Sequence, residues 1–299
     1  MAAFYEKWGL ARRLAPLAFV CAALLHLPGI CRGQSPDLTQ ITGQSRINWN
    51  AGFIRAKGVF HWKGRNTKDP KSLRPALCEA KEDAVRNLFK TLWDIHIDSD
   101  VVISDAVSED VGMLNRMIGF IKALPVSGYK WGHDGFLEVE IQMDMRGEFA
   151  QLALPPDIRK LESIKPLISG KKRELKPASN GKEISPDVFT GLVVDAKGIG
   201  VLPSMSPRIL DRGGKEIYGA AFVSREFAVQ NGMSGYMTDL KAAQKSPRVG
   251  KNPLVARGLM SAGPGRSDIV ISDLDASKLR GSSEHLVFLK KCGVIIVTD

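Results

Sequence analysis

Beyond its first 33 residues, the chain lacks an apolar run of membrane-spanning length and lacks any spacing typical of a metal site. A spanning helix needs about 20 apolar residues, and no later run approaches that number. The histidines outside the N-terminal stretch are scattered, without metal-ligand spacing to cysteine or to each other. They are His61, His96, His133 and His285. The sequence therefore predicts no bound metal and no cofactor.

Familiar catalytic motifs are also missing. The segment 232–236, with the letters GMSGY, fails the nucleophile-elbow pattern because its last position is tyrosine rather than glycine. Two Ser-x-x-Lys matches, at 169–172 and 179–182, lie in a glycine- and lysine-rich stretch without the apolar periodicity of a folded element. The glycine pairs at 198 and 200 and at 263 and 265 lack the rest of a phosphate loop, and we interpret them as turns. We therefore predict a protein without catalytic residues.

The N-terminal stretch has the pattern of a secretory signal peptide. Lys7, Arg12 and Arg13 precede an apolar run from Leu14 to Ile30, which ends in small residues. A basic start, a short apolar core and a small-residue exit are typical of such signals, and we predict cleavage near Gly33. The alternative is an uncleaved N-terminal anchor, which the basic residues orient in the same way. Both place the rest of the chain in the periplasm or at the periplasmic face of the envelope.

The cysteines bear on lipid attachment and on disulfide formation. A lipidated cysteine needs a small residue before it, whereas Cys21 and Cys31 each follow a bulky branched residue, so lipid attachment is disfavoured. Cys78 and Cys292 lie in different halves of the chain. An oxidising compartment permits a disulfide between them. Two separate thiols are the alternative, and the sequence leaves both open.

The net charge of +10 is partly concentrated in one segment. Residues 159–182 carry eight lysines and arginines against two glutamates, a net charge of +6. A nucleic-acid-binding face would interleave such charges with aromatic residues. This segment contains no aromatic residue, and the next one along the chain is Phe189. We therefore predict no nucleic-acid partner. The segment is interpreted as a solvated linker, with contact to an anionic envelope polymer or to lipid headgroups as the alternative.

Apolar periodicity predicts an α+β fold made of two small mixed α/β domains joined by a basic linker. In a helix predicted over 72–96, alanines recur at 76, 80 and 84, and small residues at that spacing would let the helix lie close to a sheet. Strict alternation over 137–145 predicts a strand with one buried face and one wet face. The predicted organisation is a signal peptide at 1–33, a flexible leader at 34–46, a first domain at 47–152, the basic linker at 153–187 and a second domain at 188–299.

The remaining predicted elements complete the two domains. In the first domain we predict a strand-like stretch over 47–60 and a helix over 108–124, which Ser108 or Asp110 can cap. In the second domain we predict a central strand at 192–194, a hairpin over 209–218, helices at 224–230 and 236–245, and a strand, helix and strand at 269–272, 273–291 and 294–297.

Asp195 is the one candidate catalytic residue. It follows the strand predicted at 192–194, and the glycine- and proline-rich loop Gly198–Pro207 comes next. Active-site acids often lie at the end of such a strand. Asp195 has no partner visible in the sequence. It supports only an alternative function, a periplasmic hydrolase of unrecognised type that uses Asp195 and this loop.

The first domain resembles a known family. Residues 49–52 lead into a strand ending at 56–58, an alanine-rich helix carries 84–86, an Asp-Gly turn stands at 134–135, and the next strand ends at 145–147. These signatures resemble the LPP-twenty outer-membrane lipoprotein family and the related N-terminal domain of the flagellar assembly T protein, over about 47–152. The second part, through 190–196 and 223–226, resembles the C-terminal part of exported bacterial proteins of that kind.

The resemblance implies an envelope location and a non-enzymatic interaction role, sometimes beside the flagellar basal body. It carries no catalytic residues to this chain, which departs from the family in lacking a lipidation motif. We therefore expect an exported cell-envelope protein with a binding or assembly role, whose partners are other envelope proteins.

Overall fold

The computed structural model of the chain describes residues 36–61, 70–132, 135–158 and 188–299. The strands are β1 (Thr39–Thr42), β2 (Ser45–Asn48), β3 (Phe53–His61), β4 (Val126–Trp131), β5 (Phe136–Asp144), β6 (Gly191–Asp195), β7 (Ile209–Leu210), β8 (Glu216–Tyr218), β9 (Gly235–Met237), β10 (Pro253–Ala262), β11 (Asp268–Ile271) and β12 (Val294–Val297). The α-helices are α1 (Pro70–Trp93), α2 (Ile103–Glu109), α3 (Val111–Ala123), α4 (Glu148–Ala153), α5 (Arg225–Asn231), α6 (Leu240–Gln244), α7 (Asp273–Arg280) and α8 (Ser283–Lys290). The α+β class predicted from the sequence is confirmed.

The first part of the chain forms a five-stranded antiparallel sheet in the order β1-β2-β3-β5-β4, and helix α1 lies across β3 and β5. The buried alanines Ala76, Ala80 and Ala84 form the contact side of the helix. A Cβ atom placed on Gly58 of β3 would lie 2.1 Å from the Ala80 carbonyl oxygen and 2.1 Å from the Ala84 amide nitrogen. Strand β3 therefore needs glycine at this position, and the close approach predicted from the alanine spacing is confirmed.

Strand β5 has the two faces that its alternation predicts. Leu137, Val139, Ile141 and Met143 are fully buried beneath the helices. On the opposite face Glu138 accepts ion pairs from two lysines on the neighbouring strands, Lys57 at 3.0 Å and Lys130 at 3.2 Å. Desolvation raises the pKa of Glu138, but the two lysines outweigh it, so the net pKa is lowered.

The predicted helix over 108–124 is two helices. Helix α2 ends at Glu109, and Asp110 then caps α3, because its side chain accepts a hydrogen bond of 2.9 Å from the Met113 amide. The capping role predicted for Asp110 is therefore confirmed. The side of α3 that faces the core consists of the buried residues Met113, Met117 and Ile121.

The second part of the chain forms a seven-stranded mixed sheet in the order β8-β7-β11-β10-β6-β12-β9. Strands β10, β6, β12 and β9 run parallel to one another, and both β6 and β12 are buried on their two faces. Continuous apolar runs such as Val294–Val297 are typical of such doubly covered strands. The central strand predicted at 192–194 and the strand predicted at 294–297 are thus confirmed.

Two predicted helices of this part differ from the structure. The helix predicted over 236–245 was wrong at its start, because residues 235–237 pair with β12 as strand β9 and helix α6 begins only after Asp239 caps it. The helix predicted over 273–291 is divided at Gly281, where Ser282 caps α8. Strand β10, the longest strand among the described residues, was not predicted, because its exposed face carries apolar residues that interrupt the apolar–polar alternation.

Residues 36–46, the described part of the segment predicted as a flexible leader over 34–46, are paired with both sheets. The Leu38 amide donates to the Tyr236 carbonyl at 3.1 Å and the Thr238 amide donates to the Pro36 carbonyl at 2.8 Å, along the free edge of β9. The chain then continues as β1 and pairs with β2. Since the side chains of β1 are largely exposed on both sides, no apolar pattern in the sequence marks it as a strand.

The two sheets share one hydrophobic core. Buried residues of the first part, such as Ile54 of β3 and Phe149 of α4, belong to the same cluster as Leu192, Tyr236 and Ile296 of the second sheet. Residues Ser35–Asp299 accordingly form one compact unit. The two parts that the sequence separates as domains are therefore packed together, and their junction is where the candidate site lies.

Candidate functional site

Asp195, the candidate acid, lies at the carboxyl end of β6 and is half-buried. Its Oδ1 accepts a hydrogen bond of 3.4 Å from the Lys197 amide, and the Asp299 carboxylate accepts one of 2.8 Å from the Gly198 amide. These contacts fold the first part of the loop 198–207 over the ends of β6 and β12. The hydrogen bonds of Asp195 and Asp299 explain how the loop is held, and they do not test catalysis. Catalysis by Asp195 therefore stays a prediction.

The far end of the same loop enters the junction between the two parts of the chain. The Met205 amide donates to the His96 carbonyl at 3.0 Å, and the Ser206 amide donates to the Ile97 carbonyl at 2.7 Å. The guanidinium group of Arg208 then bonds Asp268 of the second part at 2.6 Å and Asp100 of the first part at 2.9 Å. Asp268 is almost fully buried, so its ion pair with Arg208 inside the second part is largely shielded from water. The ion pair that joins the two parts is the one with Asp100, whose side chain is 52% exposed, so solvent weakens it.

A pocket with a cavity volume of about 40 Å³, which opens to solvent, lies in this junction. Pockets that bind small molecules combine apolar walls with a few polar groups. We call it the junction pocket. Six of its lining residues define it, namely Trp49, Arg146, Ser204, Met205, Ser234 and Tyr236.

Aromatic and apolar side chains form most of the pocket wall. The rings of Trp49 and Tyr236 meet edge to face, with centroids 5.7 Å apart and planes at 67°. Trp49 is fixed from behind, because its indole nitrogen donates to Gln40 of β1 at 3.1 Å. Met205 and Met233 add flexible apolar surface, which adapts to the shape of a ligand. The segment 36–48 thus positions one wall of the pocket from outside.

The polar groups of the pocket are centred on the phenol of Tyr236. Its hydroxyl accepts from the Ser204 amide at 3.0 Å and donates to the Ser204 carbonyl at 3.1 Å. Burial raises the pKa of Tyr236, so the phenol is neutral at physiological pH. The side-chain hydroxyls of Ser204 and Ser234 lie close by, but neither makes a well-formed hydrogen bond with another part of the described protein. Two buried hydroxyls therefore have hydrogen-bonding capacity to spare.

Arg146 supplies the positive charge of the pocket. Its guanidinium group donates to the Asn50 carbonyl at 2.8 Å and lies flat against Gly52. A Cβ atom on Gly52 would lie 2.6 Å from the Arg146 Nε, and Gly52 has a φ of +73° that favours glycine. The turn between β2 and β3 therefore has the shape that lets the arginine lie along the pocket wall.

A second guanidinium group lies behind the wall of the pocket. Arg248 donates to the Asn231 carbonyl at 2.9 Å, to the Gly232 carbonyl at 2.5 Å and to the Cys292 carbonyl at 2.9 Å. Burial lowers the pKa of Arg248, and the positive charge of Arg146 lowers it further. Tyr218 and Cys292 raise the pKa of Arg248, but desolvation outweighs them, and the contribution of Arg146 is the smallest of these.

The sequence does not reveal this site, because its residues come from separate segments of both halves of the chain. One partial signal existed. The segment 232–236 was rejected as a nucleophile elbow, and Gly232, Met233, Ser234 and Tyr236 of that segment line the junction pocket. The glycine and serine residues that resemble a nucleophile elbow therefore line the junction pocket, and they do not form the strand-to-helix turn that the motif describes.

The two cysteines are separate thiols in the structure. Cys78 is exposed on α1, whereas Cys292 is buried in the turn between α8 and β12. Desolvation raises the pKa of Cys292 to about 11, and the nearby Tyr218 hydroxyl and Arg248 offset this only in part. Of the two alternatives that the sequence leaves open, the structure contains the one without a Cys78–Cys292 bridge.

Other predicted features lie outside the described residues. They are the signal peptide at 1–33, the basic segment at 159–182 with both Ser-x-x-Lys matches, and residues 133–134 of the predicted Asp-Gly turn. Within the described ranges, no cluster of three or more histidine, cysteine or acidic side chains has a geometry that could hold a metal ion. No helix in the described part of the chain combines the length and the apolarity needed to cross a bilayer.

The C-terminal part of the chain is similar to one known protein family. Residues 191–299 match the family described as Treponema pallidum Tp0624, second domain. The match begins at the first residue of β6 and contains all seven strands of the second sheet. A comparison with curated proteins gives no match. The similarity therefore includes Ser204, Ser234 and Tyr236 of the junction pocket but not Trp49 or Arg146.

Proposed function

We propose that this chain is an exported protein of the bacterial cell envelope that binds other envelope components without catalysing a reaction, and that the junction pocket is its binding site. The observation that carries the proposal is the composition of that pocket. Trp49 and Tyr236 offer apolar surface beside two buried serine hydroxyls that lack well-formed hydrogen bonds within the described residues. Buried polar groups usually have partners, so a pocket lined by unsatisfied hydroxyls is suited to a ligand that completes them.

The N-terminal pattern supports the envelope location. A basic start, a short apolar core and a small-residue exit before Gly33 direct the body of the chain out of the cytoplasm. The resemblance of residues 47–152 to the LPP-twenty family supports a role in binding or assembly, and a place beside the flagellar basal body is its sharper form. A deletion strain tests that form, since normal motility and intact basal bodies would contradict a flagellar role.

A pair of matched substitutions tests the pocket as a binding site. Met205→Trp fills the pocket, whereas Met260→Trp adds the same side chain on the exposed side of β10, where Met260 is 56% exposed. The protein is purified from its native host and weighed intact by native mass spectrometry. We expect a bound small molecule in the wild type and in Met260→Trp, and its loss in Met205→Trp.

Two results would overturn the proposal. Retention of the bound mass by Met205→Trp would place the ligand elsewhere. Turnover of ester or amide substrates that Asp195→Asn abolishes would favour a hydrolase instead. Fractionation of the cell envelope tests the location separately, because a protein recovered only from the cytoplasm would contradict export.

A further inference from the structure

The junction pocket has an uncompensated positive charge. Arg146 is the only charged residue among the described residues that line it, and none of them is acidic. The described residues contain no ion pair to Arg146, although Asp144 accepts a hydrogen bond of 2.8 Å from its backbone amide. The guanidinium group donates to one carbonyl, that of Asn50, and thus has donors left for a ligand.

The second cation strengthens this field. Arg248 bonds the carbonyl groups of Asn231 and Gly232, and both of these residues line the pocket. Burial is the main cause of the lowered pKa of Arg248, and the positive charge of Arg146 adds the smallest contribution in the same direction. An anion in the pocket would therefore be attracted chiefly by Arg146 itself. Charge-assisted hydrogen bonds to guanidinium groups are also about twice as strong as neutral ones.

The remaining lining selects for more than charge. The hydroxyls of Ser204 and Ser234 can each donate one hydrogen bond to an acceptor, as the oxygens of an acid group require. Trp49 and Met205 offer an apolar surface that a bare inorganic anion would leave unused. A ligand that satisfies all of these groups carries an acidic head on a short apolar body.

We propose that the junction pocket binds a small anionic amphiphile, whose carboxylate or phosphate head lies at Arg146 and accepts from the serine hydroxyls while its apolar body contacts Trp49 and Tyr236. This proposal rests on the proposed function, because it names the class of ligand for the same pocket. Recognition needs both parts of the ligand, and neither a neutral alcohol nor a free inorganic anion supplies both.

Titration calorimetry on the full-length protein tests the proposal with four probes, namely hexanoate, hexyl phosphate, hexanol and inorganic phosphate. We expect one or both six-carbon acids to bind at least tenfold more tightly than hexanol and than inorganic phosphate, and the stronger of the two acids identifies the head group. Arg146→Gln should remove the tenfold preference for the acid and leave hexanol binding unchanged. Arg86→Gln, an exposed arginine on α1, should change nothing.

The possible failures are distinguishable. Equal binding of hexanol and of both acids would overturn the anionic class and leave the pocket as a binding site. Inorganic phosphate that binds as tightly as hexyl phosphate would overturn the apolar part. If none of the probes binds, this inference is overturned and the proposed function is tested by its own bound-mass experiment. Arg146→Lys keeps the charge, and should retain part of the preference if Arg146→Gln acts through charge rather than through the bond to Asn50.

Discussion

Substitution of Gly58 by alanine tests the contact between helix α1 and the first sheet. The added Cβ would lie 2.1 Å from two backbone atoms of the helix, whereas ordinary contact begins at 3.4 Å, so helix and strand must separate by about 1.3 Å. Overpacking of this kind costs about 1–3 kcal/mol, and backbone obstacles place the cost near the upper end. The smaller conformational freedom of alanine in the unfolded chain returns about 0.5–1 kcal/mol.

The net expectation is a loss of about 2 kcal/mol in the free energy of unfolding. For a chain of this size that corresponds to a fall in Tm of about 4–8 °C. Urea unfolding followed by tryptophan fluorescence measures the loss directly, since Trp49, Trp93 and Trp131 all lie in the part of the chain that contains this sheet.

A matched control is available on another strand of the same sheet. Gly128 of β4 has no atom within 4 Å of an added Cβ, so Gly128→Ala should be neutral or slightly stabilising. The obstructing atoms at Gly58 belong to the backbone of Ala80 and Ala84, so Ala84→Gly should not rescue the variant. Equal urea midpoints for Gly58→Ala and Gly128→Ala would refute the close packing described above.

Three further predictions concern the second sheet and the thiols. Ile296→Ala in the buried strand β12 should lower the free energy of unfolding, measured in urea, by about 2–5 kcal/mol. Ile41→Ala, at a position 70% exposed, should lower it hardly at all. Similar losses for the two variants would contradict a central position of β12. Burial raises the pKa of Glu216 above 4.5, so its charged form destabilises the fold at high pH and the penalty disappears as pH falls below that value. Glu216→Gln should therefore raise the Tm at pH 7 but not near pH 4, and a gain that persists in acid would point to another cause. In the native protein a thiol reagent should label the exposed Cys78 quickly. The buried Cys292, whose pKa is about 11, should react only after unfolding. A protein that has no free thiol after unfolding would establish a Cys78–Cys292 bridge instead.

Much of the first sheet and its helix followed from the sequence, because the relevant information is local. The alanines at 76, 80 and 84 and the alternation over 137–145 each reflect one face of one element against one neighbour. The carboxylate of Asp110 accepts a hydrogen bond from the Met113 amide, only three residues further along the chain, so its capping role could also be predicted. The same reasoning failed at 235–237, where pairing with β12 overrides a locally helical pattern.

The candidate site was outside the reach of such reasoning. Trp49, Arg146, Ser204 and Tyr236 come from four separate segments, and no spacing in the sequence relates them. Asp195 stood out because it follows an apolar run, yet its carboxylate is engaged with the Lys197 amide of its own loop. Ser204, in the same loop, carried no signal, although it lines the junction pocket together with Met205.

The sequence alone determined the α+β class and the elements whose burial repeats along the chain, because these depend on the order and periodicity of neighbouring residues. Export stays a prediction from the N-terminal pattern. Only the tertiary structure decided that residues 36–48 pair with both sheets, that the two sheets share a core and that a positively charged pocket lies between them. The reason is physical. Pairing of an exposed strand and the meeting of distant side chains depend on hydrogen bonds and packing between segments, and these leave no periodic pattern in the residues that make them.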